Sequence, residues 1–549
     1  MTDSTTGATA SAPDETGYAA WRKAAAAVLA KGRRIDPADL PAGPEELLEA
    51  ITYDGARIAP LYTGADEGAE QTLPGSFPFV RGTDPARDVT VGWLVDGRYG
   101  DAKTSQPSRS ATDPAALNEQ ILDGLATGVS ALWLAVGDGA IAPDDLPAVL
   151  HGVYLDLAPV TLDAGAQTRD AAEAIFALLD AAPVQDRGRV RIGLGASPLT
   201  DLFCAGTESV SADELAELAA TAVGRDEAIR TITVDGTVFH ERGASDTQES
   251  GAAIAAAVQY ARELTERGVP VADALEQIEF RLAATDDQFQ TIAKFRAARR
   301  LWARVCEVLG APSSAAAPQH AVTSAAMLSR RDPWVNMLRT TLAAFGAGLG
   351  GADRIAVLPF DAALPAGALG TSESFADRIA RNTQLLLLEE SHLGQVLDPA
   401  GGSWYVESLT ADLARLAWEE FQRIEAEGGY RAAVASGSLA ERFADTAARR
   451  ERDIAHRATP VTGVNEFPNL DEPVPSADGP ARLDHVRRYA AQFEALRDRS
   501  DAHLAATGSR PKAALVALGP LSEHNVRTSF AANLLASGGI ASESTDTVT

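Results

Sequence analysis

Residues Val190–Asp235 read VRIGLGASPLTDLFCAGTESVSADELAELAATAVGRDEAIRTITVD, and this stretch decides the fold. Val190–Ala196 is a short β-rich run, Ala212–Val223 repeats its apolar residues at helical spacing, and Ile229–Asp235 is a second β-rich run. A strand, a helix and a strand at this spacing predict a parallel βαβ unit. The alternation extends both ways, with strand-like runs at Val89–Val95, Ser130–Val136, Pro159–Ala164, Ile278–Thr285, His320–Ser324 and Arg354–Phe360. Helical patterns fall between them at Ala115–Thr127, Asp170–Leu179, Ser250–Arg267, Gln288–Leu309 and Trp334–Phe345. Several runs are almost continuously apolar, as strands buried on both faces require. Eight such units predict an α/β chain built on a closed (β/α)8 TIM barrel.

The flanks set the domain organisation. Residues 1–50 read as an N-terminal arm, disordered to residue 16, with helices at Tyr18–Lys31 and Pro44–Ala50 that lack a core and should contact a partner. Residues 51–400 hold the barrel, with Ile58–Thr83 as an extended wrapping loop. Residues 401–508 are a helical linker region, including Ala411–Glu427 stopped by Gly428-Gly429, a Pro-rich crossing at 459–480 and a helix at Leu483–Arg497. Residues 509–549 offer a strand at Ala513–Leu518 and a helix at Glu523–Ala536, then the polar tail ASESTDTVT. This last unit is expected to lack a sheet to join, and to be mobile or docked through Val526, Phe530, Leu534 and Leu535.

At 549 residues the chain is several times a typical domain. Its 48 Lys+Arg against 76 Asp+Glu give a net charge of −28, a field that opposes a nucleic-acid partner. No run approaches the ~18 apolar residues of a membrane span. Two cysteines, Cys204 and Cys306, form no disulfide framework, which predicts a reducing, cytoplasmic setting.

Gly346–Gly351 (GAGLGG) satisfies GxGxxG, but a helix precedes it and a strand follows. That order predicts a glycine-rich helix end, not a nucleotide loop. The face Lys294, Arg296, Arg299, Arg300 and Arg304 is expected to be solvated. In the Trp334–Phe345 helix, Asp332-Pro333 reads as the start, and Trp334, Met337, Leu338, Leu342 and Phe345 form the apolar face. Ser374 with Asp377 opens a helix through Arg378–Glu390. No histidine pair has metal-ligand spacing, so no metal site is expected. His240 stands in TVFHERG, just past the fifth strand, where barrel enzymes place chemistry. The alternative is a loop histidine satisfied by backbone.

The stretch Arg378–Gly429 (RIARNTQLLLLEESHLGQVLDPAGGSWYVESLTADLARLAWEEFQRIEAEGG), with Ala284–Val305, Arg330–Gly351 and VTGVNEFP at Val461–Pro468, resembles the adenosylcobalamin-dependent methylmalonyl-CoA mutase family. Ile51–Thr83, Asp235–Glu249 and Leu518–Ile540 are most similar to the small (β) subunit of the bacterial heterodimeric enzyme. The resemblance implies an arm that wraps a larger (α) subunit, an acyl-CoA substrate reached through the complex, whose coenzyme A threads the barrel in catalytic members, and a C-terminal flavodoxin-like domain, here a truncated counterpart. It also implies adenosylcobalamin in the complex, on the large subunit and not on this chain.

Carried over residue by residue, the resemblance exposes departures. A catalytic Tyr-His pair corresponds to Phe239-His240, leaving His240 as a residual catalytic residue. The arginine that pairs with the substrate carboxylate has no counterpart, since no Lys or Arg occurs from Ile192 to Gly224. An active-site tyrosine has no aromatic counterpart in Thr83–Asp88. The cobalamin motif DxHxxG corresponds to Ser522–Arg527, which keeps His524 as a residual cofactor ligand but replaces the aspartate by Ser522 and the glycine by Arg527. These losses imply a small subunit without catalysis of its own in a complex interconverting methylmalonyl-CoA and succinyl-CoA. The alternatives are a mutase for a substrate such as isobutyryl-CoA, or a free-standing acyl-CoA-binding protein.

Overall fold

The computed structural model describes residues 15–69, 71–100, 113–181, 186–365, 367–473, 483 and 486–544. Eight parallel strands close a barrel: β1 (Leu94–Tyr99), β2 (Ala131–Ala135), β3 (Val160–Asp163), β4 (Arg191–Ala196), β5 (Ala228–Asp235), β6 (Ile278–Ala284), β7 (Gln319–Thr323) and β8 (Arg354–Ala356). They pair in chain order, and β8 returns to β1 with Arg354 opposite Leu94. The register slips between Gly193 and Ala196 of β4. Gly195 there has φ +73°, and a Cβ would lie 1.8 Å from the Leu162 carbonyl oxygen, so only glycine fits.

The longer helices among the described residues are α1 (Glu15–Arg33), α2 (Pro114–Ala126), α3 (Thr168–Ala181), α4 (Ala212–Val223), α5 (Asp246–Glu266), α6 (Gln288–Val308), α7 (Asn336–Leu349), α8 (Glu373–Leu385), α9 (Trp404–Ala426), α10 (Ser438–Ala455), α11 (Ala491–Thr507) and α12 (Leu521–Ser537). Their starts follow from side-chain caps. Asp113 accepts from the amides of Ala115 and Ala116 with Pro114 in first position, Ser211 accepts from Glu214, and Asp287 accepts from Gln290. Gly346–Gly351 closes α7 as expected, and a Cβ on Gly348 would meet the Trp93 ring at 2.5 Å.

Several expectations are corrected. The first strand begins at Leu94, because Asp88 caps the amide of Thr90 and Gly92, at φ +75°, turns the chain first. The stretch Arg378–Glu390 lies in α8, which starts at Glu373 after Ser372, and in a π turn at Leu386–Glu390. The helix expected at Leu483–Arg497 begins at Ala491 and runs to Thr507. Asp332 has φ 44° and leads a 3-10 turn, Pro333–Val335, ahead of α7. That helix buries Arg339, Thr340, Ala343 and Ala344 and turns Leu338 and Leu342 outward. The apolar stripe read from the sequence is real, but it faces away from the barrel.

The basic face of α6 is also corrected: Lys294, Arg296 and Arg299 are buried, and Arg300 and Arg304 are the exposed members. The helix is covered by α5, α7 and α9, so its cations meet protein acceptors in place of water.

Residues 1–14 of the expected disordered arm lie outside the described residues, and α1 already begins at Glu15. It packs on the turns Pro37–Asp39 and Pro44–Leu48, with Arg22 2.6 Å from Glu45. Val28 and Ile51 are exposed. At the other end, β9 (Lys512–Leu515) pairs in parallel with β10 (Ala541–Ser544), Ala513 opposite Ser542, with α12 as the crossover. The expectation of a strand without a sheet was wrong. The polar run ASES lacks an apolar alternation because its residues lie at a half-exposed edge. Nor does α12 dock through the expected face: Val526, Phe530 and Leu534 are exposed. Arginines tie the C-terminal helices to the barrel, Arg330 lying 3.0 Å from Glu494 and Arg331 2.6 Å from both Asp498 and Asp501.

Candidate functional site

Alternation along the strands sends every second residue into the barrel lumen, and many of those residues are polar or charged. Contacts between strands that are not neighbours identify them. Arg354 of β8 donates to Thr161 of β3 and, at 2.9 Å, to Glu279 of β6, which also accepts from Thr233 at 2.7 Å. His320 of β7 lies 3.0 Å from Asp96 of β1. Trp133 of β2 receives the guanidinium carbon of Arg98 at 4.0 Å from its ring centroid and that of Arg281 at 4.1 Å, and stands edge-on to His320. Arg281 in turn donates to Asp235 at 2.8 Å and to His320 Nδ1 at 3.2 Å. Burial, with Arg354 beside it, pushes His320 down to about 4. Although burial works the other way, His320 and Arg354 hold the Asp96 carboxyl below its usual range. Side chains from all but one of the eight strands thus pack across the axis.

At the carboxyl end of the strands, where barrel enzymes place their chemistry, Arg98 and Arg281 are engaged by Asp163 and Asp235, the last residues of β3 and β5. After β4, Ser197 donates to the Thr233 carbonyl at 2.5 Å, and the short helix Pro198–Ala205 carries Asp201, whose carboxyl burial pushes up. Phe203 packs on Phe239 and Phe443.

His240 sits in the short helix Thr237–Glu241 and is fully buried. Its Nε2 is 2.7 Å from Ser324 Oγ, and its Nδ1 lies 4.0 Å from Glu249. Burial, with Lys294 and Arg450 nearby, pushes the imidazole down to about 3, so it stays neutral at ordinary pH. The expected backbone-satisfied histidine is thus a side-chain-bonded one. It contacts Tyr489 and lines a cavity at the carboxyl end of the barrel, among the loops that follow β5, β6 and β7. Behind it, Lys294 reaches Asp246 and Glu249, each at 2.8 Å, and Glu249 also accepts from the amide of Ala283.

The signature residues hold the scaffold. Asp398, at φ 49°, accepts from Arg81 at 2.9 Å and from Arg296, which also pairs with Glu407 at 2.5 Å. Arg299 donates to the carbonyls of Phe79, Val80, Gly350 and Gly351 and to Gln319, fastening the wrapping loop to the end of α7. Trp93 donates to Gln384 at 3.2 Å.

His524 lies in the first turn of α12, its Nδ1 3.3 Å from Thr528, and shares no contact with His240 or its cavity among the described residues. The lumen residues were missed in the sequence. Their signal was available: Asp96 in LVDGRY, Arg281 in IEFRLAA and Arg354 in RIA are charges inside otherwise apolar strands.

A closed parallel barrel whose following loops and helices cap its carboxyl end defines a (β/α)8 protein of the enzyme type, here with a filled axis. The chain belongs to the methylmalonyl-CoA mutase family, a family of isomerases: the methylmalonyl-CoA mutase profile matches residues 140–528. It is 55% identical over 520 residues to a protein named as a probable methylmalonyl-CoA mutase small subunit in Mycobacterium tuberculosis, covering 95% of this chain and 82% of that one. It is 50% identical over 502 residues to the methylmalonyl-CoA mutase small subunit of Streptomyces virginiae, covering 90% and 79%. To the small subunit of Propionibacterium freudenreichii subsp. shermanii it is 36% identical over 533 residues, covering 95% and 79%. The small-subunit reading made from the sequence agrees with these relatives. The family generally uses adenosylcobalamin. Among the described residues no helix is long and apolar enough to cross a membrane, and no cluster of ligating side chains could hold a metal ion.

Proposed function

We propose that this chain is a non-catalytic small subunit, and that a larger subunit carries both the adenosylcobalamin and the acyl-CoA in the complex that interconverts methylmalonyl-CoA and succinyl-CoA. The filled lumen carries this reading. A pantetheine arm along the axis would have to displace Trp133 from between Arg98 and Arg281 and break the Glu279–Arg354 pair. Separating such buried charges costs about 3–5 kcal/mol for each partner lost. The missing cation between Ile192 and Gly224 argues the same way against a second substrate carboxylate. The isobutyryl-CoA and acyl-CoA-binding alternatives avoid that carboxylate but still need the axis.

The residues around His524 do not fit adenosylcobalamin. Among the described residues no carboxylate bonds the imidazole, Thr528 lies at its Nδ1, and Arg527 carries a long side chain where the cofactor's close approach needs glycine. The imidazole of His240, bonded to Ser324, is read as structural. Exposed apolar residues on and near α1, Tyr18, Val28 and Ile51, support a partner surface for the larger subunit.

Co-expression with a larger family member bearing an intact DxHxxG tests the proposal. The expected outcome is a one-to-one complex that isomerises methylmalonyl-CoA, while the isolated chain neither turns over nor changes a cobalamin spectrum. Turnover by the isolated chain would overturn it.

A further inference from the structure

The N-terminal segment, residues 15–58, is fastened to the rest of the chain at one narrow seat. Among residues 16–33 of α1 only Ala30 is buried, and Val28 is 71% exposed. The helix therefore draws little stability from packing. The attachment falls to the hairpin that follows, in which Ala50–Ile51 pairs with Arg57–Ile58 and residues 52–56 form the turn. Among the described residues, every hydrogen bond from residues 18–58 to later segments is made by Tyr53 or Asp54.

The two residues at the hairpin tip reach different helices. The Tyr53 hydroxyl donates to Asp453 at 3.0 Å and lies 3.2 Å from the Thr459 hydroxyl, and the Tyr53 carbonyl accepts from Arg449 at 3.1 Å. Asp54 accepts from the amide and the hydroxyl of Thr247, at 2.8 and 2.7 Å, in the first turn of α5. Ala56 packs with Ala293 and Ala297 of α6 and with Leu409 and Leu413 of α9.

Tyr53 and Asp54 also form part of the wall of a cavity of about 390 Å³ at the carboxyl end of the barrel, with His240, Asp246, Arg450 and Tyr489. The guanidinium of Arg450 lies between the rings of Tyr53 and Tyr489, 5.0 and 5.1 Å from their centroids. It donates to the carbonyls of Gly243 and Ala244, close after His240. Lifting the tip removes one of the two rings on Arg450 and the acceptor of the Thr247 amide. The position of the N-terminal segment and the order of the cavity wall thus share one opening equilibrium. The hairpin carries Ile51, 76% exposed, two residues before Tyr53.

We propose that residues 15–58 are a strap closed by a clasp at Tyr53 and Asp54, and that the larger subunit holds the strap down by covering Tyr18, Val28 and Ile51. In the isolated chain the clasp opens by local unfolding. In the complex it stays seated, and the wall around His240 is fixed with it. The identity of the partner rests on the small-subunit reading above, whereas the clasp does not.

Hydrogen–deuterium exchange of the full chain tests this, read on peptides spanning residues 47–58 and 238–250, alone and with the larger family member. In the isolated chain, Tyr53→Phe combined with Asp54→Ala should speed exchange in both peptides by roughly tenfold and leave β6 and β7 unchanged. Asp54→Asn, which keeps an acceptor for Thr247, should stay near wild type. Binding of the larger subunit should slow both wild-type peptides by roughly tenfold. Faster exchange confined to residues 47–58 in the double variant, or a complex that leaves residues 238–250 at the isolated-chain rate, would overturn the proposal. Failure of the two chains to associate would overturn the small-subunit reading instead, and the isolated-chain comparison would still decide the clasp.

Discussion

The guanidinium carbon of Arg281 lies 4.1 Å from the centroid of the Trp133 ring, although β6 and β2, which carry the two residues, stand opposite each other in the barrel. Arg98 covers the same ring at 4.0 Å, so an aromatic plate held by two cations closes the lumen. Trp133→Ala should destabilise the chain by about 3–5 kcal/mol, because the neighbouring charges cannot collapse into the void. Denaturant unfolding would show the loss as a lower midpoint at unchanged slope.

Glu279 is the acceptor on which Arg354 and Thr233 converge. Glu279→Leu should cost about 3–5 kcal/mol, since it leaves a buried guanidinium short of its partner. Pairing it with Arg354→Met should recover much of that loss. A double-mutant cycle measures the recovery, and additive losses would contradict the account.

Arg299 spans four carbonyls and Gln319, a pattern a single ammonium cannot reproduce. Arg299→Lys should lower stability by at least about 2 kcal/mol. It should also expose the Leu73–Gly82 region to limited proteolysis before the barrel unfolds. Cleavage elsewhere first would show that the loop is held by other contacts.

His240 predicts an acid-side loss of stability. Its folded-state value is pushed down to about 3 from an ordinary 6.5, so between those limits the unfolded chain binds the extra proton. Stability conferred by the neutral ring is complete above pH 6.5 and falls by about 1.4 kcal/mol per pH unit as the pH drops through that window. His240→Gln keeps a partner for Ser324 but cannot titrate. The difference in unfolding free energy between wild type and variant should therefore slope with pH below 6.5 and be flat above it. A difference flat throughout would sink this reading.

Much of the barrel was legible because its strands are apolar runs bounded by glycine, proline and aspartate, and the strand boundaries from β2 to β7 move by no more than two residues. What the sequence concealed were interactions between distant segments. Lys294, Arg296 and Arg299 have the spacing of a solvated face, and acceptors remote in sequence, among them Glu249, Asp398, Glu407 and the carbonyls of Phe79 and Val80, make their burial possible. Leu338 and Leu342 have the spacing of a core face and lie outside, because the small residues Ala343, Ala344 and Gly348 pack closest to the barrel. Ala541–Ser544 gives no strand signal, since its pairing with Lys512–Leu515 is made by backbone at an exposed edge. His240 was placed correctly after the fifth strand. Its engagement with Ser324, 84 residues away, was invisible.

The filled lumen makes coenzyme A binding the most direct measurement. Equilibrium dialysis of acyl-CoA against the isolated chain and against its complex with the larger subunit counts sites on each. The account predicts no site on the isolated chain and one per heterodimer in the complex. One acyl-CoA per isolated chain, lost on adding bulk beside Thr161 and Glu279 through Gly193→Leu, would mean that the axis opens and that this subunit binds substrate itself.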